Sequence, residues 1–166
     1  MLTKLVWITF LCLTLFTDSG VADQLQGEIV GVTDGDTATL LTTDKAQVKI
    51  RLAQIDAPEK KQDFGQRSKQ SLSDLVYRKN VTVDVVDTDR YGRTVGQIWV
   101  DGLDVNLEQI KQGMAWVYLK YMTDPTYQEA EAIARKNGIG LWQQEDAVAP
   151  WEWRKQQKTL RQEKQE

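Results

Sequence analysis

The sequence contains no histidine, and this absence narrows the chemistry open to it. A catalytic serine or cysteine paired with histidine, the histidine zinc motifs and a histidine general base are all excluded. Acid–base chemistry must therefore come from carboxylates, lysine, tyrosine or water. A metal site built from oxygen ligands favours a hard cation, calcium or magnesium, over zinc or copper.

Cysteine is nearly absent as well. The single cysteine, Cys12, lies in an apolar run at residues 5–16, which follows a lysine and precedes small residues at 20–22. This pattern is typical of a secretory signal peptide, and the run is shorter than the roughly 20 apolar residues of a membrane span. We expect residues 1–22 to be a signal peptide, with an uncleaved N-terminal anchor as the alternative. The mature protein is then exported, periplasmic or secreted, and has no disulfide.

Neither sign of charge is in large excess. The chain has 166 residues, enough for one ordinary domain, with 21 Lys or Arg against 24 Asp or Glu and a formal net charge of −3. Global charge therefore predicts no polyanionic partner. Between residues 44 and 93, however, eleven basic residues face eight acidic ones. A local field can outweigh net charge at a cleft, although these side chains can equally be a solvated surface.

Alternating apolar and polar residues, bounded by turn residues, predict five strands. They are expected at residues 26–32, 37–42, 47–52, 81–86 and 94–100. Helical spacing of apolar residues predicts three helices, at residues 64–78, 105–112 and 125–136. Strands in three-plus-two order with inserted helices favour an α+β fold, mainly β, built on a five-stranded barrel of the oligonucleotide-binding (OB-fold) type plus three helices.

The C-terminal segment differs in composition from the rest of the chain. Residues 150–166 begin with tryptophans and continue as Gln, Lys, Arg and Glu with almost no apolar residue. This composition favours a polar, mobile tail whose tryptophans pack back on the domain. The folded domain is therefore expected to span residues 23–149.

Charged residues concentrate at three predicted turns or strand ends. These clusters are Asp34-Gly35-Asp36-Thr37, Arg51 with Asp56-Ala57-Pro58-Glu59, and Asp89-Arg90-Tyr91-Gly92-Arg93. Taken singly, each fits an ordinary turn or a screened surface ion pair. Together they supply what phosphodiester hydrolysis without histidine requires. Two carboxylates can hold a hard cation, another can accept a proton, and two arginines can grip a phosphate.

In order and spacing, the three clusters resemble the signature segments of the staphylococcal nuclease (thermonuclease) family. The resemblance covers roughly residues 26–143. It implies that Asp36 and Asp56 bind Ca²⁺ together with the backbone carbonyl of Ala57, and that Asp34 lies near the metal, acting through water. The staphylococcal member has threonine at the position of Ala57. Because the implied ligand is a backbone carbonyl, we expect calcium binding to remain.

The same resemblance implies roles for five further residues. Glu59 is the candidate general base, or positions the attacking water. Arg51 and Arg93 are implied to contact the scissile phosphate and to stabilise the transition state. Tyr91 matches a residue that helps to bind a terminal phosphate, and Tyr121 matches one that lines the nucleotide pocket.

The resemblance implies a calcium-dependent, sugar-nonspecific endonuclease that cleaves DNA and RNA and leaves 3′-phosphates. A noncatalytic, OB-type module for single-stranded nucleic acid is the alternative, but it has no use for carboxylates that repel phosphate. A structural calcium-binding protein leaves Arg51 and Arg93 unexplained. We expect a monomer without a stable protein partner, in contact with a membrane only if the N-terminal segment is retained.

Overall fold

The computed structural model describes residues 23–164. The predicted signal peptide at residues 1–22, with Cys12, lies outside the described residues. None of the helices in the described part of the chain is long and apolar enough to cross a membrane.

Within residues 23–164, eight strands and four helices follow one another. The strands are β1 (Gln24–Asp34), β2 (Thr37–Thr42), β3 (Gln47–Leu52), β4 (Ile55–Asp56), β5 (Asn80–Thr88), β6 (Thr94–Val100), β7 (Leu103–Asp104) and β8 (Trp116–Val117). The helices are α1 (Gly65–Val76), α2 (Val105–Lys111), α3 (Pro125–Lys136) and α4 (Pro150–Glu163). Single 3₁₀ turns lie at Leu119–Tyr121 and Gly140–Gln143.

Five long strands form the predicted barrel. They run in the order β3-β2-β1-β5-β6, with antiparallel neighbours, and β7 pairs with the other edge of β6. A parallel pairing of β3 with β6 closes the sheet, with Ile50 opposite Thr94 and Leu52 opposite Gly96. The expected α+β, OB-type barrel is therefore confirmed.

The apolar residues of the alternating strand pattern fill the barrel interior. Its inward-facing side chains are almost completely buried and include Ile29, Leu40, Ile50, Leu52, Val83 and Ile98. Each such side chain contributes roughly 1.5–3 kcal/mol when it is removed from water. The polar residues between them point away from this core, so the charged side chains of a strand are available at the barrel surface and rim.

Three helices lie where the sequence predicts them. Helix α1 buries Leu72 and Val76 against the barrel. Helix α3 begins with Pro125 at its first turn, and the Asp124 carboxylate accepts the backbone N–H of Thr126 at 2.9 Å. Such a cap satisfies a donor that the helix itself leaves unpaired.

A fourth helix, α4, adds to the three that the sequence predicts. It occupies residues 150–163, where the sequence favours a mobile polar segment. Trp151, at its start, packs edge-on against Trp116 (ring centroids 5.8 Å apart) and stacks on Tyr118 (5.8 Å, 9° between the planes). The prediction missed this helix because its packing depends on a few aromatic contacts and not on an apolar stripe of helical period.

Candidate active site

Strand pairing brings the first two charged clusters together at one end of the barrel. Asp36 lies in the turn between β1 and β2, and Arg51 in β3 is paired across the ladder with Thr37. Asp56 belongs to β4, which pairs with β8 opposite Trp116. The backbone N–H of Leu52 donates to the carbonyl oxygen of Asp36 at 2.8 Å. The turn carrying Asp36 is therefore fixed to the end of β3.

Arg51 joins two carboxylates that we call the carboxylate pair, Asp36 and Asp56. Its Nη1 forms an ion pair with Asp36 Oδ2, and its Nη2 donates to Asp56 Oδ1 at 2.9 Å. Asp36 is 5% exposed and Asp56 is 1% exposed. Because both carboxylates meet one guanidinium, their oxygen atoms converge on a single region of the rim.

Asp36 is held as an anion by its other neighbours as well. The backbone N–H of Ala57 donates to Asp36 Oδ2 at 2.7 Å, and the Thr37 hydroxyl donates to Oδ1 at 3.1 Å. Burial acts to raise the pKa of Asp36, but the Arg51 charge and the Ala57 N–H outweigh it, so that this pKa is lowered. Asp36 is therefore ionised at neutral pH.

Asp34 lies beside Asp36 in a different electrostatic state. Its Oδ1 accepts the backbone N–H of Asp36 at 3.2 Å. Burial and the nearby Asp36 charge raise the pKa of Asp34 to about 6. This carboxyl group therefore changes charge close to neutral pH, next to a group that stays charged.

Glu59 is linked to Asp56 through a residue that the sequence analysis did not identify, Arg154 of α4. Arg154 Nη1 donates to Glu59 Oε1 at 2.8 Å, and Nη2 donates to Asp56 Oδ2 at 2.7 Å. The signal in the sequence is weak, one arginine after Trp-Glu-Trp in a polar tail. The predicted metal ligand and the predicted base thus share a guanidinium from the far end of the chain.

Arg93 lies in the turn between β5 and β6, at residues 89–93, and its carboxylate partner belongs to the same turn. Its Nε donates to Asp89 Oδ2 at 2.7 Å, and its backbone N–H donates to Asp89 Oδ1 at 3.0 Å. The next residue, Thr94, is paired with Ile50 of β3. The fold thus places Arg93 beside the strand of Arg51, while the Arg93 guanidinium contacts Asp89 and not the carboxylate pair.

The two predicted substrate-binding tyrosines lie in different places. Tyr91 is 70% exposed in the β5–β6 turn, with the Arg90 guanidinium 4.8 Å from its ring centroid. Tyr121 is 56% exposed and contacts Tyr118 edge-on, with ring centroids 4.9 Å apart. Through Tyr118 it belongs to the aromatic group that holds α4. The structure leaves both rings accessible and does not bring them together.

A buried glutamine that the sequence analysis missed positions the Asp36 turn. Gln109 of α2 donates from Nε2 to the Gly35 carbonyl at 2.8 Å and to the Ser68 carbonyl at 3.2 Å. Gly35 packs so closely on α1 that a Cβ there would lie 1.7 Å from Ser68 Oγ. Only glycine fits this approach, so α1 and α2 together fix the turn between Asp34 and Asp36.

Asn106 performs a similar role at the end of β3. Its Nδ2 donates to the carbonyls of Ala53 and Gly96, each at 3.1 Å, and its Oδ1 accepts the N–H of Ile98 at 3.1 Å. These bonds join the chain after Arg51 to β6. Gln109 has no local signal, because the carbonyls to which it donates lie 41 and 74 residues away. Asn106 bonds to two residues of β6, 8 and 10 residues away, and to Ala53, 53 residues away.

The donors at this site suit a hard cation. The carboxylate oxygens of Asp36 and Asp56 converge on Arg51. Residues 23–164 contain neither histidine nor cysteine, so the side-chain ligands available here are oxygen atoms. Within residues 23–164, no group of three or more His, Cys, Asp or Glu side chains is arranged to hold a metal ion. A cation at the carboxylate pair therefore needs further oxygen ligands from the backbone or from water, the composition that calcium and magnesium accept.

Known proteins resemble this chain over most of its length. The family model described as "Staphylococcal nuclease homologue" matches residues 49–144. An "Uncharacterized endonuclease" of Haemophilus influenzae is 49% identical over 130 residues, 78% of this chain and 73% of the relative. A protein of the same description from Escherichia coli O157:H7 is 44% identical over 145 residues, 87% of this chain and 94% of the relative.

A further relative carries a more specific name. The "Micrococcal nuclease" of Shigella flexneri is 39% identical over 144 residues, 80% of this chain and 82% of the relative. The family match includes Arg51, Asp56, Glu59 and Arg93 and ends before α4. The chain belongs to the staphylococcal nuclease family and is a nuclease of the hydrolase class.

Proposed function

We propose that this nuclease is a Ca²⁺-dependent, sugar-nonspecific endonuclease that cleaves DNA and RNA and leaves 3′-phosphates. The observation that carries the proposal is the convergence of two buried carboxylates on Arg51 at the rim of the barrel. A module that only binds nucleic acid gains nothing from buried carboxylates, which repel phosphate. The names of the relatives, endonuclease and micrococcal nuclease, support cleavage.

Asp36 and Asp56 would hold the cation, with the Ala57 carbonyl and water as further ligands. When bound there, Ca²⁺ supplies positive charge for a phosphate oxygen and for orienting water. The oxygen-only donor set fits calcium or magnesium, and calcium is the ion that the family resemblance favours. Asp34 acts beside the pair through water, where its charge changes the local field.

Arg51 and Arg93 bind the phosphate from two sides in this proposal. Arg51 is held at the rim by the carboxylate pair through both Nη groups, and in this proposal it turns them toward the phosphate when a cation binds the two carboxylates. Arg93 uses Nε to bind Asp89, so its terminal Nη groups can face a phosphate. Two planar guanidinium groups stabilise the charge that grows on the equatorial oxygens in the transition state.

Glu59 accepts the proton of the attacking water. Its side chain is 36% exposed; its Oε1 is bonded to Arg154, and its Oε2 is the oxygen that takes the proton in this proposal. Water adds its oxygen to phosphorus and the bond to the 5′ oxygen breaks. The phosphate stays on the 3′ oxygen, and the departing 5′ oxygen takes a proton from solvent.

The N-terminal residues also indicate where the protein acts. We infer from the sequence pattern at residues 1–22 that the nuclease is exported, to the periplasm or the medium. There it acts as a monomer on DNA and RNA.

Digestion of single-stranded DNA tests the reaction. The purified chain is incubated with millimolar Ca²⁺, with Mg²⁺ alone and with a chelator, beside an Asp36→Ala variant as the control for contaminating nucleases. We expect cleavage that needs both Ca²⁺ and Asp36, with ends that a polymerase extends only after phosphatase treatment. DNA that is bound but never cut supports the binding module instead, and cleavage with Mg²⁺ alone rejects the calcium assignment.

A further inference from the structure

Helix α4 reaches into the proposed active site although it lies outside the part of the chain that matches the family model. The match ends at residue 144, and α4 begins at residue 150. Its Arg154 contacts Asp56 and Glu59, the proposed metal ligand and the proposed base. The proposed reaction assigns no task to this arginine.

The contact between Arg154 and Asp56 occupies both oxygens of the carboxylate. Arg154 Nη2 donates to Oδ2 at 2.7 Å, and Nη1 lies 3.2 Å from Oδ1. Oδ1 also accepts Nη2 of Arg51 at 2.9 Å. Asp56 therefore faces two guanidinium groups, one from the barrel and one from α4, and its side chain is buried beneath them.

Two anchors hold the start of α4 over the site. Trp151 packs between Trp116 and Tyr118. Gln62 accepts the backbone N–H of Glu59 at 3.2 Å and donates to the Val148 carbonyl at 2.6 Å, so one side chain ties the Glu59 loop to the chain before α4. Arg154 is thus placed by contacts that do not involve its own charge.

We propose that Arg154 competes with the divalent cation for Asp56, so that α4 sets the cation affinity of the site. The inference rests on the proposed function, in which Asp56 is a cation ligand. Asp56 Oδ1 already accepts N–H groups from both Arg51 and Arg154, and Oδ2 accepts one from Arg154, so a cation that binds these atoms must displace Arg154 or share the carboxylate against its positive charge. In both cases the free energy that favours the Arg154 contact opposes cation binding.

A purely structural role for Arg154 makes the opposite prediction. If Arg154 only held Asp56 in the right orientation, its removal would leave Asp56 less ordered and would weaken cation binding. Competition predicts tighter binding when Arg154 is removed. The sign of the change in Ca²⁺ affinity therefore separates the two roles.

The test measures Ca²⁺ binding to the full chain by isothermal titration calorimetry, without nucleic acid. Arg154→Met removes the charge and keeps an apolar stem. Lys158→Met is the matched control, because it removes one positive charge from the exposed surface of the same helix. Arg154→Lys keeps the charge and loses the planar fork that reaches both oxygens. Circular dichroism compares the fold of the variants with that of the parent chain.

We expect Arg154→Met to bind Ca²⁺ about tenfold more tightly than the parent, the scale of a charged hydrogen bond that is partly exposed to solvent. Lys158→Met should change the affinity less than about twofold, since Lys158 is exposed, makes no ion pair with Asp56 or Glu59, and is screened by solvent. Arg154→Lys should fall between the two. Equal affinities in Arg154→Met and Lys158→Met, or weaker binding in Arg154→Met, would overturn the inference. Partial loss of fold lowers affinity and cannot imitate the expected gain.

The calcium-affinity test of Arg154 and the DNA-cleavage test of the proposed reaction can fail independently. If the parent chain cuts DNA with Ca²⁺ while Arg154→Met shows no gain in affinity, the competition is wrong and the proposed function remains. If Arg154→Met gains affinity but the parent leaves DNA intact under the same conditions, the competition holds and the proposed reaction is wrong.

Discussion

The two arginines proposed to bind phosphate, Arg51 and Arg93, are both held by aspartate, but in two very different regions. Arg51 has a side chain that is 15% exposed, and it meets carboxylates from the β1–β2 turn and from β4. Arg93 is 30% exposed and meets a carboxylate four residues earlier in its own turn. The first arrangement depends on how the whole domain folds, whereas the second can form within five residues.

The difference changes what each ion pair contributes. Removing one partner of a buried pair leaves an uncompensated charge in a poorly solvated place. A partly exposed pair is screened by water and salt, and its net contribution is small. We therefore expect the Arg51 region to govern stability and the Arg93 region to govern the reaction with little effect on the fold.

The largest expected effect is the loss of stability when Arg51 is replaced by an uncharged residue, compared with the same change at Arg93. Arg51→Met should lower the free energy of unfolding by about 3 kcal/mol in chelator, because Asp36 then remains buried without its ion pair. Arg93→Met should lower it by less than about 1 kcal/mol. Urea denaturation followed by tryptophan fluorescence measures both. Similar losses in the two variants would remove the distinction between the regions.

The second effect concerns Glu59, which is linked through Arg154 to Asp56 of the Arg51 region. Glu59→Gln should lower kcat by at least about a hundredfold, the scale of a lost acid–base group, while stability in urea changes little. Single-turnover cleavage of a labelled oligonucleotide at saturating Ca²⁺ measures it. Digestion at the parental rate would show that Glu59 is not the base.

A smaller effect is expected when Arg93 is replaced by lysine, which keeps the positive charge but lacks the planar guanidinium. Arg93→Lys should lower kcat by roughly tenfold to a hundredfold, because an ammonium group cannot bind Asp89 and two phosphate oxygens at once. The unfolding midpoint serves as the control and should stay at the parental value. An unchanged kcat would show that the guanidinium of Arg93 does not stabilise the transition state.

The smallest expected effect is the pH-dependent contribution of Asp89 to stability in the Arg93 region. Slight burial acts to raise the pKa of Asp89, but the backbone and guanidinium N–H groups of Arg93 and the N–H of Tyr91 outweigh it and lower this pKa below its ordinary 3.8. A lowered folded-state pKa contributes stability above the unfolded value and loses it as pH falls through the folded value. Asp89→Asn should therefore be slightly less stable than the parent at pH 7.

The stability difference between Asp89→Asn and the parent should shrink as the pH falls below about 4, because Asp89 becomes protonated first in the unfolded chain and then, at its lower folded-state pKa, in the folded chain. Thermal unfolding between pH 3 and pH 7 measures it. A difference that stays constant across this range would mean that Asp89 acts by packing and not by charge.

Much of the barrel could be predicted because its signals are local. The strands at residues 37–42, 47–52 and 94–100 have the bounds that alternation and turn residues indicate. Helix α3 begins after Asp124 for the same reason, since its cap and its proline are adjacent in the sequence. Helix α4 has no comparable signal. Its position depends on Trp151 meeting the rings of Trp116 and Tyr118, which lie 35 and 33 residues earlier in the sequence.

The site could be predicted only in part. The resemblance named Asp36, Arg51 and Asp56, and the structure brings these three together. It could not indicate Gln109, which bonds to a carbonyl 74 residues away, or Arg154, which bonds to a carboxylate 98 residues away. Contacts of this length follow from the packing of whole elements, which a single sequence does not display.

The parallel pairing of β3 with β6 has a kinetic consequence for the nuclease. Hairpins such as β1–β2 and β5–β6 join neighbouring segments and form in roughly 1–10 μs when isolated. The pairing of Ile50 with Thr94 encloses α1 and β5, so it forms only after a long loop has closed. Arg51 and Arg93 flank this pairing. We expect the proposed phosphate-binding arginines to come together on refolding with this long-range pairing and not with the hairpins alone.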